Sequence, residues 1–214
     1  MRLAIVFILF CTAASAGPWL RAPGQQFLSL SVEADLKGDR AEALGLAYYE
    51  LGLTPNITLG IDAGADSWGQ SSTLAFARFP LLRSDTGHVI ATEIALGPYT
   101  GTTVSDWVIR PGLSWGRGLD FWQGGWIMVD AQYAYLIETG LGRSKLETTL
   151  GLNHGNRIKS LLQITVEKTD GVDITVSVTP GLAWRISEQI QLVGGVIWRS
   201  DSSSALKLGL WREY

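Results

Sequence analysis

Apolar side chains recur at every second position in segment after segment of this chain, and aromatic residues stand at both ends of the alternation. The clearest case is Trp107, Ile109, Pro111, Leu113 and Trp115, interleaved with Val108, Arg110, Gly112 and Ser114. A period of two belongs to a strand whose successive side chains point to opposite faces. The two tryptophans share a face and lie eight residues apart, which is roughly 27 Å along a strand at ~3.3 Å per residue and roughly 20 Å along the normal once the strand tilts. That is close to the height of an apolar band facing lipid. Strands that cross a bilayer must close into a barrel, because an open edge leaves peptide groups unsatisfied in hydrocarbon.

The beginning of the chain fits export. Arg2 supplies a positive n-region, Leu3 to Phe10 a short apolar core, and Ala14-Ser15-Ala16 a small-residue cleavage site, so residues 1–16 read as a signal peptide and Gly17 as the mature first residue. No stretch approaches the ~20 consecutive apolar residues of a spanning helix, which excludes a helical membrane protein. Cys11 is the one cysteine and lies in the signal; the bulky Phe10 before it disfavours a lipoprotein site. Mature disulfide or thiol chemistry is therefore not expected.

Towards its end the chain alternates through Leu206, Leu208 and Leu210 and stops on Tyr214. A final amphipathic strand closed by an aromatic residue resembles the assembly signal of bacterial outer-membrane β-barrel proteins. Arg212 departs from that pattern, although an arginine at the membrane edge can snorkel. The resemblance implies an outer-membrane location, recognition of the last strand by the barrel-assembly machinery, and contact with outer-membrane lipid and lipopolysaccharide. It covers the architecture of residues 17–214 and no specific subfamily. The formal net charge is −3 and falls by one more when Arg2 leaves with the signal. Nucleic acid wants a basic face, so it is not expected as a partner.

The expectation is one all-β domain, a closed antiparallel transmembrane barrel of about twelve strands. The expected strands are Gln25–Asp35, Ala41–Leu53, Ile57–Ala65, Ser72–Leu81, His88–Gly97, Val104–Gly116, Gly125–Leu136, Ser144–His154, Arg157–Glu167, Val172–Arg185, Gln189–Arg199 and Ser204–Tyr214. An even number returns both termini to the periplasm. Connections on both sides are short, so no loop is expected to fold in as a plug. The segment 41–53 alternates weakly, with Tyr48 and Tyr49 side by side, and leaves its own facing open.

Parity sends Ile109, Leu113, Val176 and Leu182 to lipid, with Trp107, Trp115, Trp184, Trp198 and Tyr214 as interface anchors. It sends Asp62, Arg110, Asp130, Glu147, Lys159 and Arg185 into the lumen. A soluble barrel would turn the apolar set inward, but girdles of aromatics at both ends are a lipid feature. Sorted by height, Glu33, Asp35, Asp66, Glu147, Glu167, Asp170, Asp173 and Asp201 fall near the outer mouth, and Arg78, Arg110, Arg157, Lys159 and Arg185 nearer the periplasm. Rings of charge are how pores discriminate, but facing charges also pair across a narrow lumen. Arg110, Gln132 and Asn153 are candidates for such cross-links.

The function expected is a narrow, porin-like passive channel for small hydrophilic or ionic solutes in a Gram-negative outer membrane. A structural or adhesive barrel with a closed lumen is the alternative. An outer-membrane lipid hydrolase is the third reading, but His88 and His154 both fall at the periplasmic end and neither sits in a catalytic motif, so no catalytic residue is assigned. Two distant histidines and no mature cysteine offer no metal site, and no cofactor is expected.

Overall fold

A computed structural model describes residues 17–36 and 42–214; the signal peptide, with Cys11, lies outside the described residues. Twelve strands are present: β1 Gln26–Asp35, β2 Ala43–Thr54, β3 Ile57–Asp66, β4 Ser71–Arg83, β5 His88–Thr100, β6 Ser105–Leu119, β7 Gly125–Leu136, β8 Gly142–His154, β9 Ile158–Thr169, β10 Thr175–Arg185, β11 Ile190–Arg199 and β12 Ser204–Glu213. Each pairs antiparallel with its sequence neighbour, and β1 pairs with β12 to close the barrel. Below, the inner mouth is the end at which β1 begins, and the outer mouth is the opposite end.

Strand limits depart from expectation by a few residues. β10 begins at Thr175 rather than Val172, so Asp173 and Ile174 belong to a loop. β6 runs on to Leu119. Register shifts in the β2–β3 pair between Gly52 and Thr54 and in the β4–β5 pair between Pro80 and Leu82. A proline cannot donate to the ladder, so a bulge is a natural place for Pro80.

The facing follows the parity argument. Ile109, Leu113, Val176 and Leu182 are on the outer face and exposed, as are Trp107, Trp184, Trp198 and Tyr214. These tryptophans sort by height: Trp107 and Trp198 stand at the outer ends of β6 and β11, whereas Trp115 and Trp184 stand at the inner ends of β6 and β10. Trp115 also donates its indole N–H to His88 Nδ1 at 3.1 Å. The strand left open by sequence, β2, turns Tyr48 and Glu50 inward and Tyr49 outward, where Tyr49 bonds Gln26.

The interior is not wholly polar. Leu74, Phe76, Ala95 and Val108 form an apolar cluster on the inner face of β4–β6, flanked by Tyr48, Tyr99 and Leu136. Tyr48 stacks on Phe76 with ring centroids 5.4 Å apart. This cluster thickens the wall formed by β4–β6.

At the outer end of β6, Asp106 accepts bonds from the backbone N–H of Glu138 and Thr139 and from the Thr139 hydroxyl, at 2.9, 3.0 and 2.9 Å. One carboxylate thus pins the loop between β7 and β8. Asp106→Ala is expected to speed trypsin cleavage at neighbouring Arg143, measured as the rate at which the folded barrel is nicked; an unchanged rate would mean that the strand ends alone hold the loop.

Candidate functional site: the barrel lumen

Five strands and the segment before β1 place alternating charges in contact along the inner wall. Arg21 Nε donates to Glu50 Oε2 at 2.6 Å, and Glu50 Oε1 accepts from an Arg78 nitrogen at 2.5 Å. Arg78 continues to Glu93 at 2.8 Å, Glu93 to Arg110 at 3.3 Å, and Arg110 to Asp62 at 2.6 Å. The Tyr48 hydroxyl donates to Glu50 at 2.7 Å and accepts from Arg78 at 2.7 Å. Three cations therefore face three anions, and the ladder carries no net charge. Such a chain gives every ion a counter-ion in a region where an unpartnered charge would be costly, although the buried Arg78 and Arg110 Nε–H groups have no hydrogen-bond partner among the described residues.

Two of the expected lumen residues, Asp62 and Arg110, belong to this ladder. Arg110 lies nearer the outer end of β6 than the inner, contrary to its expected place in the periplasmic half. Glu147 pairs instead with Lys145 on its own strand at 2.7 Å. Asp130 takes a hydrogen bond from the Ser114 side chain. Lys159 is buried, with its ammonium 5.5 Å from the centre of the Trp126 ring. Arg185 closes β10 at the inner mouth, where its N–H bonds the Arg157 carbonyl. Of the expected cross-links, that of Arg110 forms, from β6 to Asp62 on β3, whereas Asn153 donates to the Gln123 carbonyl of a turn.

Arg78 is among the charges that sorting by height places nearer the periplasm; Glu50, Glu93 and Tyr48, which carry the ladder with it, are not among the residues singled out from parity. Glu93 was legible, since Ala91 and Ala95 beside it on β5 share its parity. Glu50 was not, because adjacent tyrosines hide the facing of β2.

The acidic outer mouth is largely neutralised. Glu33 meets Lys207 at 3.1 Å and Arg199 at 3.6 Å, and Glu167 meets Arg143 at 2.7 Å. Asp66 accepts from the N–H groups of Trp68 and Gln70, and Asp170 from that of Gly142. In the outer loop after β11, the Ser203 hydroxyl and N–H hold the Asp201 carboxyl below its ordinary range.

Water reaches the outer half of the lumen. The side chain of Asp62, midway along β3, keeps 32 % of its surface open, and that of Lys145 keeps 36 %. Further towards the inner mouth two members of the ladder are sealed, Glu50 at 0 % and Arg78 at 5 %.

That seal has a source outside the alternating strands. Residues 17–25 precede β1 and run into the inner mouth, reaching Gly116 and Met128 on the wall formed by β6 and β7. Gly17 and Pro18 are buried there. Arg21 donates its N–H to Thr58 Oγ1 at 2.9 Å, and its guanidinium lies 4.6 Å from the Phe27 ring centre. It is the N-terminal segment, not a connection between strands, that is seen to enter the mouth.

The two histidines are not brought together. His88 accepts from Trp115, and His154 Nε2 lies 2.8 Å from Ser160 Oγ at the inner end of β8 and β9. Among the described residues no group of three or more His, Cys, Asp or Glu side chains is placed to hold a metal ion.

The whole barrel superimposes on solved channels. It matches the KdgM porin with a TM-score of 0.61 at 11 % identity, over 86 % of this chain and 98 % of that one. It matches the NanC porin at 0.62 and 7 % identity, over 85 % and 98 % of the two chains. An outer-membrane channel from Pseudomonas putida F1 matches at 0.56 and 10 % identity, over 92 % and 97 %. The chain shares the outer-membrane porin fold. At such identities the likeness is one of architecture, and it agrees with the closed antiparallel barrel read from alternation. No protein-family model matches the sequence, and no curated protein matches it significantly.

Proposed function

We propose that this protein is a narrow passive channel of the bacterial outer membrane for small hydrophilic or ionic solutes, exported through a cleaved signal peptide. The observation that carries this reading is the open surface of Asp62 and Lys145 inside a closed wall: charged side chains reached by water within a barrel mark a path that a hydrated solute can follow. Lipid and lipopolysaccharide surround the exposed girdle, and the β12 edge is what the assembly machinery would engage.

Because the ladder is neutral and the outer acids are mostly paired, selectivity by charge should be weak. Planar-bilayer recording tests both points. Stepwise currents with a small reversal potential in a salt gradient are expected. Asp62→Asn removes the anion beside Arg110 and should move the reversal potential towards anion preference. If neither the full chain nor a chain lacking residues 17–22 carries current at any salt or voltage, the channel reading fails in favour of a closed structural barrel.

A further inference from the structure

We infer that residues 17–25 are a strap that closes the inner mouth, so that the described state is a shut channel whose outer vestibule is open. This inference rests on the channel reading above and adds its regulation.

The span is geometrically sufficient. β1 and β7 stand six strands apart in a ring of twelve, on opposite sides of the mouth. The segment leaves β1 on one side and delivers Gly17 and Pro18 to β6 and β7 on the other. Nine residues reach up to about 30 Å when extended, more than such a crossing requires.

The wall is shaped to receive it. A Cβ on Gly116 would stand 2.6 Å from the Trp19 ring and 2.7 Å from the Pro18 side chain, and one on Gly52 would overlap the Ala22 carbonyl. Both wall positions are glycine where the strap presses closest. Between these contacts, the Arg21 guanidinium joins the strap to Glu50 at 2.6 Å and to Glu213 at 3.7 Å. The strap is thus seated by packing at its far end and by charge near its root.

Its attachment is nevertheless local. No backbone ladder ties residues 17–23 to the barrel, whose β1 ladder begins at Gln26. Glu50 keeps Arg78 when Arg21 leaves, so release does not strand a buried carboxylate. A segment held mainly through Arg21, by its ion pairs to Glu50 and Glu213 and its N–H bond to Thr58, and beyond it by side-chain packing, can detach while all twelve strands stay paired.

Processing would strengthen the seat. Cleavage after Ala16 would give Gly17 a free ammonium beside Met128. Asp130 stands two residues further along the same inward face of β7, about 7 Å away along the strand. None of the described ion pairs includes that carboxylate.

Planar-bilayer recording of three forms of the full barrel decides the matter: the parent chain, a chain lacking residues 17–22, and Gly116→Val, which keeps every strap residue but fills its seat. If the strap occludes the mouth most of the time, both altered forms should raise the time-averaged conductance about tenfold or more. A parent chain that already conducts as well as the two altered forms overturns the strap and leaves the channel standing. Silence of all three shows that the strap is not what closes the lumen, and overturns the channel reading with it.

Discussion

Arg78→Met is expected to destabilise the barrel by about 3–5 kcal/mol, the range found when one partner of a buried ion pair is removed. The size follows from what remains. Arg78 bridges Glu50 on β2 and Glu93 on β5, and both carboxylates are buried. Without it, Glu50 keeps Arg21 and Glu93 keeps Arg110 at a longer 3.3 Å, and the two anions face each other with no cation between. Arg78→Lys should recover only part of the loss, since one ammonium does not span two carboxylates as a guanidinium fork does. Urea unfolding in phospholipid vesicles, followed by tryptophan fluorescence, measures both. An unchanged midpoint for Arg78→Met would mean that the ladder contributes nothing to holding β2, β4 and β5 in register.

The second large effect concerns the outer wall. Leu113→Arg, near the middle of β6 and exposed on the outer face, should cost about 2–4 kcal/mol, as an arginine does at the lipid midplane of a barrel. The matched control is Thr165→Arg, on the inward face of β9 opposite Glu147. There the new charge meets water and a carboxylate, and the cost should be far smaller. Both are read from the same unfolding titration in vesicles. Equal costs at the two positions would contradict the facing of the wall and everything argued from it.

Much of this molecule is legible in its residues because a membrane barrel obeys one simple period. Lipid on one side and water on the other force alternation, and Trp107 and Trp115 mark the height of the band at both ends of β6. The strand number and the inward facing of Asp62, Arg110, Asp130 and Glu147 follow from that period alone. Pairing does not, because partners in a barrel are set by tilt and register between distant segments. Arg21 and Glu50 are 29 residues apart, and Asp62 and Arg110 are 48 apart. The interior apolar cluster around Phe76 was hidden for a related reason: parity says which side chains point inward, not which fill space there. The strap lay outside the reach of alternation altogether, since residues 17–25 have no period and reveal themselves only through glycines on walls they touch.

Closure between the first and last strands, from Phe27 opposite Glu213 to Asp35 opposite Ala205, also governs how such a molecule can be made. Until β12 is in place, β1 and β11 each carry a row of bare peptide groups, and in hydrocarbon every one of them costs several kcal/mol. Biogenesis therefore cannot proceed piecewise, one hairpin settling into the bilayer after another, unless another protein's strand edge pairs with the bare ones. Without such a partner, the ring has to be completed before, or together with, its entry into lipid.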